Sequence, residues 1–117
     1  MPHFIIDCSE KIVQLKSPQQ IMQVVYNAAN FTNLFEPEDI KVRINSFNKY
    51  LLAEGKNDFI HVFGNIMGGR STNQKADLSR RIVTVLTEMF PDVPIISMNI
   101  RDFEKATYCN RNLIEDE

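Results

Sequence analysis

Phe59-Ile60-His61-Val62-Phe63-Gly64-Asn65-Ile66-Met67-Gly68-Gly69-Arg70-Ser71 is the stretch that decides how this chain folds. The apolar run Phe59 to Met67 has the length and composition of a central strand. Gly68-Gly69 ends it, and Ser71 or Thr72 caps a helix carrying Leu78, Ile82, Val85, Leu86 and Met89 at helical spacing. Pro91 and Pro94 break the chain. Ile95 to Phe103 then forms a strand with Ile96, Met98 and Ile100 on one face.

The first half repeats this order. Phe4-Ile5-Ile6 is a short buried strand bounded by Ser9 and Glu10. Ser17 caps and Pro18 opens a helix to about Ala29, carrying Ile21, Val24, Val25 and Ala28. Asn30 to Asp39 is a turn-rich connection. Ile40 to Asn45 alternates, with Ile40, Val42 and Ile44 on one face and Lys41, Arg43 and Asn45 on the other. Ser46 to Leu52 is expected to add a short strand before the Glu54-Gly55 turn.

Two β-α-β units in succession predict an α+β fold, one four-stranded sheet with both helices on one face. No residue-level repeat accompanies this architectural one. The other sheet face is expected to present Phe and Ile that this short chain cannot cover, so self-association is the natural remedy.

At 117 residues the chain, 1–117, is expected to form one domain. Its 13 basic and 15 acidic residues give a net charge of -2, so no general basic field recruits nucleic acid. No apolar stretch is long enough to span a bilayer, and Asp7 and Glu10 do not fit a signal peptide, so a cytoplasmic protein is expected. Cys8 and Cys109 lack metal-site spacing and read as reduced thiols; His3 and His61 read as hydrogen-bonded structural residues. No nucleophile triad, paired-carboxylate site or phosphate loop is legible.

The candidate chemistry sits at three places. Pro2 follows Met1 directly; if Met1 is removed, its nitrogen becomes a secondary amine, a base whose pKa falls when buried near cations. Gly68-Gly69 joins a strand to a helix N-terminus, where Arg70 is able to fork onto a carboxylate, although a plain turn with Arg70 in solvent has the same local sequence. Lys41 and Arg43 share one strand face and need anions if that face is closed.

Met1-Pro2-His3-Phe4, then Asp39-Ile40-Lys41-Val42-Arg43, then Phe59-Ile60-His61-Val62 running to Gly69-Arg70-Ser71 occur in that order. Together they resemble the 5-carboxymethyl-2-hydroxymuconate Δ-isomerase family of the tautomerase superfamily. The likeness runs from Pro2 to about Phe90, includes the Ala53-Glu54-Gly55 turn and fades over the last quarter. It implies a homotrimer, no metal or cofactor, and Pro2 as catalytic base. It matches Arg70 to a carboxylate-holding arginine and Arg43 to a second one. Lys41 stands where some relatives have a further arginine, putting a point charge in place of a fork. The implied reaction is a proton shift in an unsaturated 2-hydroxy or 2-oxo dicarboxylate from aromatic catabolism. A non-catalytic trimer that binds a small anion or a protein, and a hydratase or dehalogenase using the same proline, are the alternatives.

Overall fold

The computed structural model describes residues 1–115. Strand β1 (His3–Ser9) lies at the centre of the sheet, parallel to the edge strand β2 (Lys41–Phe47) and antiparallel to β3 (Phe59–Met67). The last strand, β4 (Ile95–Phe103), pairs parallel with β3, giving the order β2-β1-β3-β4. Each parallel pair is bridged by a crossover helix and the two halves meet along an antiparallel seam, as the duplicated unit requires.

The helices are α1 (Glu10–Leu15), α2 (Pro18–Phe31), α3 (Thr72–Met89) and α4 (Arg111–Glu115). Both long helices begin in a reciprocal capping box. Ser17 Oγ accepts from Gln20 N–H and Gln20 Oε1 from Ser17 N–H; Ser71 and Gln74 repeat the pattern. Ser71 rather than Thr72 is therefore the cap, and Gln74 three residues on is the sequence signal for it. α2 runs two residues beyond the expected Ala29.

One sheet face supplies Phe4, Ile6, Cys8, Ile60, Val62 and Ile66 to the core, all fully buried. α2 and α3 pack there side by side through Ile21, Val25, Ala29, Leu78, Ile82 and Leu86. Gly64 lets this layer close, because a Cβ there would sit 2.9 Å from Met98 Cε and 3.3 Å from Phe4 Cε1.

One expectation needs correction, and two further features add to the sequence reading. Ser46 to Leu52 does not form a separate strand: β2 continues through Phe47, and no strand occurs from 48 to 58. The strand end at Ser9 leads straight into α1, a six-residue helix whose one buried residue, Ile12, is too little to leave a periodic signal. The open sheet face mixes the expected apolar residues with polar ones. Ile5, Phe59 and Phe63 are there, interleaved with Arg43, Asn45, His61 and Asn99.

Candidate active site

Pro2 is fully buried at the head of β1, and its carbonyl accepts Lys41 N–H at 3.0 Å, which fixes the chain start against β2. Met1 precedes it, so the Pro2 nitrogen here is an amide nitrogen without basicity. The Met1 amine donates to Asp39 O at 3.1 Å, and Lys41 Nζ donates to the same carbonyl at 2.8 Å. Two ammonium groups thus share one acceptor. The pKa of the terminal amine lies below its ordinary value, first because burial removes water from it, then through hydrogen bonding and repulsion by Lys41; Asp39 pulls weakly the other way.

Beside this amine opens a cleft of about 420 Å³ lined by Met1, Lys41, Met67, Tyr108, Asn110 and Arg111 among others. A larger, mostly apolar groove of about 510 Å³ lies between α2 and α3, around Phe31, Arg81 and Val85.

The four residues singled out in sequence are not all in that cleft. Lys41 lines it. Arg70 sits behind Met67: it donates to Leu34 O at 2.6 Å and to Met67 O at 3.2 Å, with its guanidinium 5.0 Å above the Phe35 ring. Gly69, at φ +120°, supplies the backbone turn that aims Arg70 this way. Arg70 is thus half-buried and engaged, not the solvated side chain of a plain turn. Two of its five N–H groups are used, which leaves three for an anion.

Arg43 lies one side-chain row further along β2, where Nη1 donates to His3 Nδ1 at 3.1 Å. Burial, then Arg43 and Lys41, hold the His3 pKa below its usual value, and the neutral ring is what lets Nδ1 accept. His61 bridges Ser97 and Asn99, each at 2.6 Å. Among the described residues no three His, Cys, Asp or Glu side chains gather as a metal site, and no helix is long and apolar enough to cross a membrane.

Sequence reasoning missed the far wall of the cleft. Tyr108, Asn110 and Arg111 follow β4 through a short 3-10 turn at Lys105–Thr107 and lead into α4. No periodicity or motif marks them.

The family model for 5-carboxymethyl-2-hydroxymuconate isomerase matches residues 2–117. The chain belongs to that family. Membership makes it an isomerase of the tautomerase superfamily, and the match includes the last quarter, where the motif likeness faded. Solved structures agree on the fold. A 5-carboxymethyl-2-hydroxymuconate isomerase from Deinococcus radiodurans R1 is similar with a TM-score of 0.81 at 21% identity, over 94% of this chain and 88% of that one. A 5-carboxymethyl-2-hydroxymuconate delta-isomerase gives 0.82 at 12% identity, over 99% and 91%. A fused 4-OT wild type solved as a symmetric trimer gives 0.77 at 11% identity, over 94% and 92%. No curated protein matches the chain by sequence.

Proposed function

We propose that this isomerase moves a proton within an unsaturated 2-hydroxy or 2-oxo dicarboxylate of the kind released by aromatic-ring breakdown. The base is the Pro2 amine, freed by removal of Met1. One observation carries the proposal: the chain's terminal amine lies in a cleft beside Lys41, with its basicity lowered by burial and by that cation. Removing one residue transfers the terminus to Pro2, the residue at which the family match begins.

In the forward step the neutral amine accepts the proton of the enol hydroxyl. The O–H electron pair becomes the carbonyl π bond, and charge spreads along the conjugated chain. The ammonium then returns its proton to a carbon of that chain, completing a 1,3- or 1,5-shift with no net change in protons. Lys41 stabilises the dienolate charge as it grows and opposes premature protonation of Pro2. Lys41, which lines the cleft, holds a carboxylate there; Arg70 and Arg43 stand outside the lining and keep donors not used on Leu34, Met67 and His3 for a carboxylate that extends past it. The steps enlist no metal or cofactor. A homotrimer is the proposed assembly, supported by a trimeric structural relative and by the half-exposed Phe63 and Ile5 on the open sheet face.

Intact mass establishes whether Met1 is absent, and enol-to-keto conversion of phenylenolpyruvate is then followed by absorbance. Pro2→Ala, with Met1 removed, is expected to lower kcat by about 100-fold or more, the usual contribution of a positioned base. Retention of wild-type turnover in that variant would falsify the assignment of Pro2.

A further inference from the structure

The groove between α2 and α3 plays no part in the reaction proposed above, yet at about 510 Å³ it is larger than the cleft at the amino terminus, about 420 Å³. Small-molecule sites run from roughly 300 to 1,000 Å³, with apolar walls and a few polar groups that fix orientation. Ala28 and Phe31 line the groove from α2 and Val85 lines it from α3. Phe31 is the last residue of α2 and is 70% exposed, so an aromatic ring stands in water at the groove instead of in the core. A ligand that covered this ring would recover its burial. The ring is also held in place. The Arg81 guanidinium lies 5.1 Å from its centroid, and Arg81 Nε donates to Asp77 Oδ2 at 2.7 Å. Ring, cation and carboxylate form a wall that is set before any ligand arrives, which lowers the ordering cost of binding.

The charges in the lining say what the ligand carries. Asp77, Arg80 and Arg81 are the charged side chains there. Asp77 is paired with Arg81. Arg80 has no carboxylate within ion-pair distance among the described residues. One guanidinium is therefore left over beside an apolar wall. Its complement is a single anionic group joined to an apolar body. A carboxylate suits it, since the guanidinium fork gives two parallel N–H bonds to one carboxylate. A second carboxylate on the same ligand would find Arg81 already taken by Asp77. An aromatic body suits the exposed Phe31, because two rings gain from offset or edge contact beyond the area they bury.

We propose that the groove between α2 and α3 is a second ligand site, which takes an aromatic monocarboxylate with its ring against Phe31 and its carboxylate on Arg80. The groove and the cleft at the amino terminus share no lining residue, so this site is independent of the reaction assigned to the cleft. The ligand touches the helix of each β-α-β unit. Binding therefore ties the two halves together outside the core and stabilises the folded protein.

Calorimetry with 4-phenylbutyrate tests this, with 4-phenylbutyramide as the uncharged control. Wild-type protein is expected to bind the acid about tenfold more tightly than the amide, the difference a charge-assisted hydrogen bond makes. The acid should also raise the thermal unfolding midpoint. Arg80→Gln is expected to weaken the acid by about tenfold and leave the amide unchanged, which removes the preference. Phe31→Ala is expected to weaken acid and amide alike, by about tenfold, through loss of the ring. Both positions are exposed, and circular dichroism verifies that each variant is folded. Lys41→Met, which alters the cleft, should leave the affinity for the acid as it is. A wild-type protein that binds neither probe, or binds both equally, overturns the proposal. So does an acid affinity that survives Arg80→Gln but falls in Lys41→Met, since that result puts the ligand in the cleft. The Pro2 assignment fails separately, through turnover surviving in Pro2→Ala, and neither failure implies the other.

Discussion

Replacing Arg70 with methionine is expected to destabilise the fold by about 2–3 kcal/mol, whatever it does to catalysis. The guanidinium joins three places that are distant in sequence: Leu34 after α2, Met67 at the end of β3, and the Phe35 ring. A hydrogen bond from a charged donor contributes about 1.5–3 kcal/mol net. Arg70 is half-exposed, so the low end applies to the 2.6 Å bond and about half of that to the 3.2 Å bond, for a total of about 2 kcal/mol. The contact with Phe35 adds about 0.5–1 kcal/mol. Methionine keeps the apolar stem, so no large cavity opens. Urea unfolding reads the difference: at slopes of about 1–3 kcal/mol per molar, the midpoint falls by roughly 0.7–3 M. Wild type and variant must be compared at matched protein concentration, since any assembly couples to stability. Arg70→Lys, able to reach one carbonyl but not to fork, should lose about half as much. A methionine variant whose midpoint stays within about 0.3 M of wild type would show that these bonds are no better than the water they exclude.

Further outcomes follow from other contacts. With Met1 removed, activity should rise with pH as the terminal amine loses its proton; Lys41→Met removes a neighbouring cation, raises that amine's pKa and moves the acidic limb of the kcat/KM profile to higher pH. Ser71→Ala removes the cap of α3 and should cost about 1 kcal/mol in thermal or urea unfolding. Burial pushes the Cys8 thiol up to about 11, so at pH 8 iodoacetamide should label exposed Cys109 in the folded protein and Cys8 only after denaturation, with mass spectrometry locating each adduct.

The strands and long helices were legible because their signals are local. Phe59–Met67 and Ile95–Phe103 occur where the apolar runs and their glycine and proline borders put them. The alternation through Lys41, Val42 and Arg43 assigned faces correctly, since side-chain direction in a strand has a period of two. α1 escaped notice because six residues with one buried side chain carry no period. The direction taken by Arg70 was not legible, since its strongest partner is a carbonyl 36 residues away in sequence. Nor was the Tyr108 wall: it is held by a ring contact with Phe103 and an Asn110 hydrogen bond, and neither leaves a pattern that distinguishes it from an exposed tail.

The two halves of the chain share an architecture, but a polypeptide has a single amino terminus. At the opposite end of the sheet β3 begins with Phe59, whose nitrogen is an ordinary amide that donates to Ser9 Oγ at 3.3 Å. Ser9 in turn donates to Asp58 at 2.8 Å, so the equivalent position is closed by a structural hydrogen bond. If the halves descend from one ancestral gene, joining them removed the terminal amine from the second copy. That copy was then free to drift wherever it neither packs against the first nor helps to bind the substrate. The absence of any residue-level repeat between two halves of such similar design is what that history would leave behind.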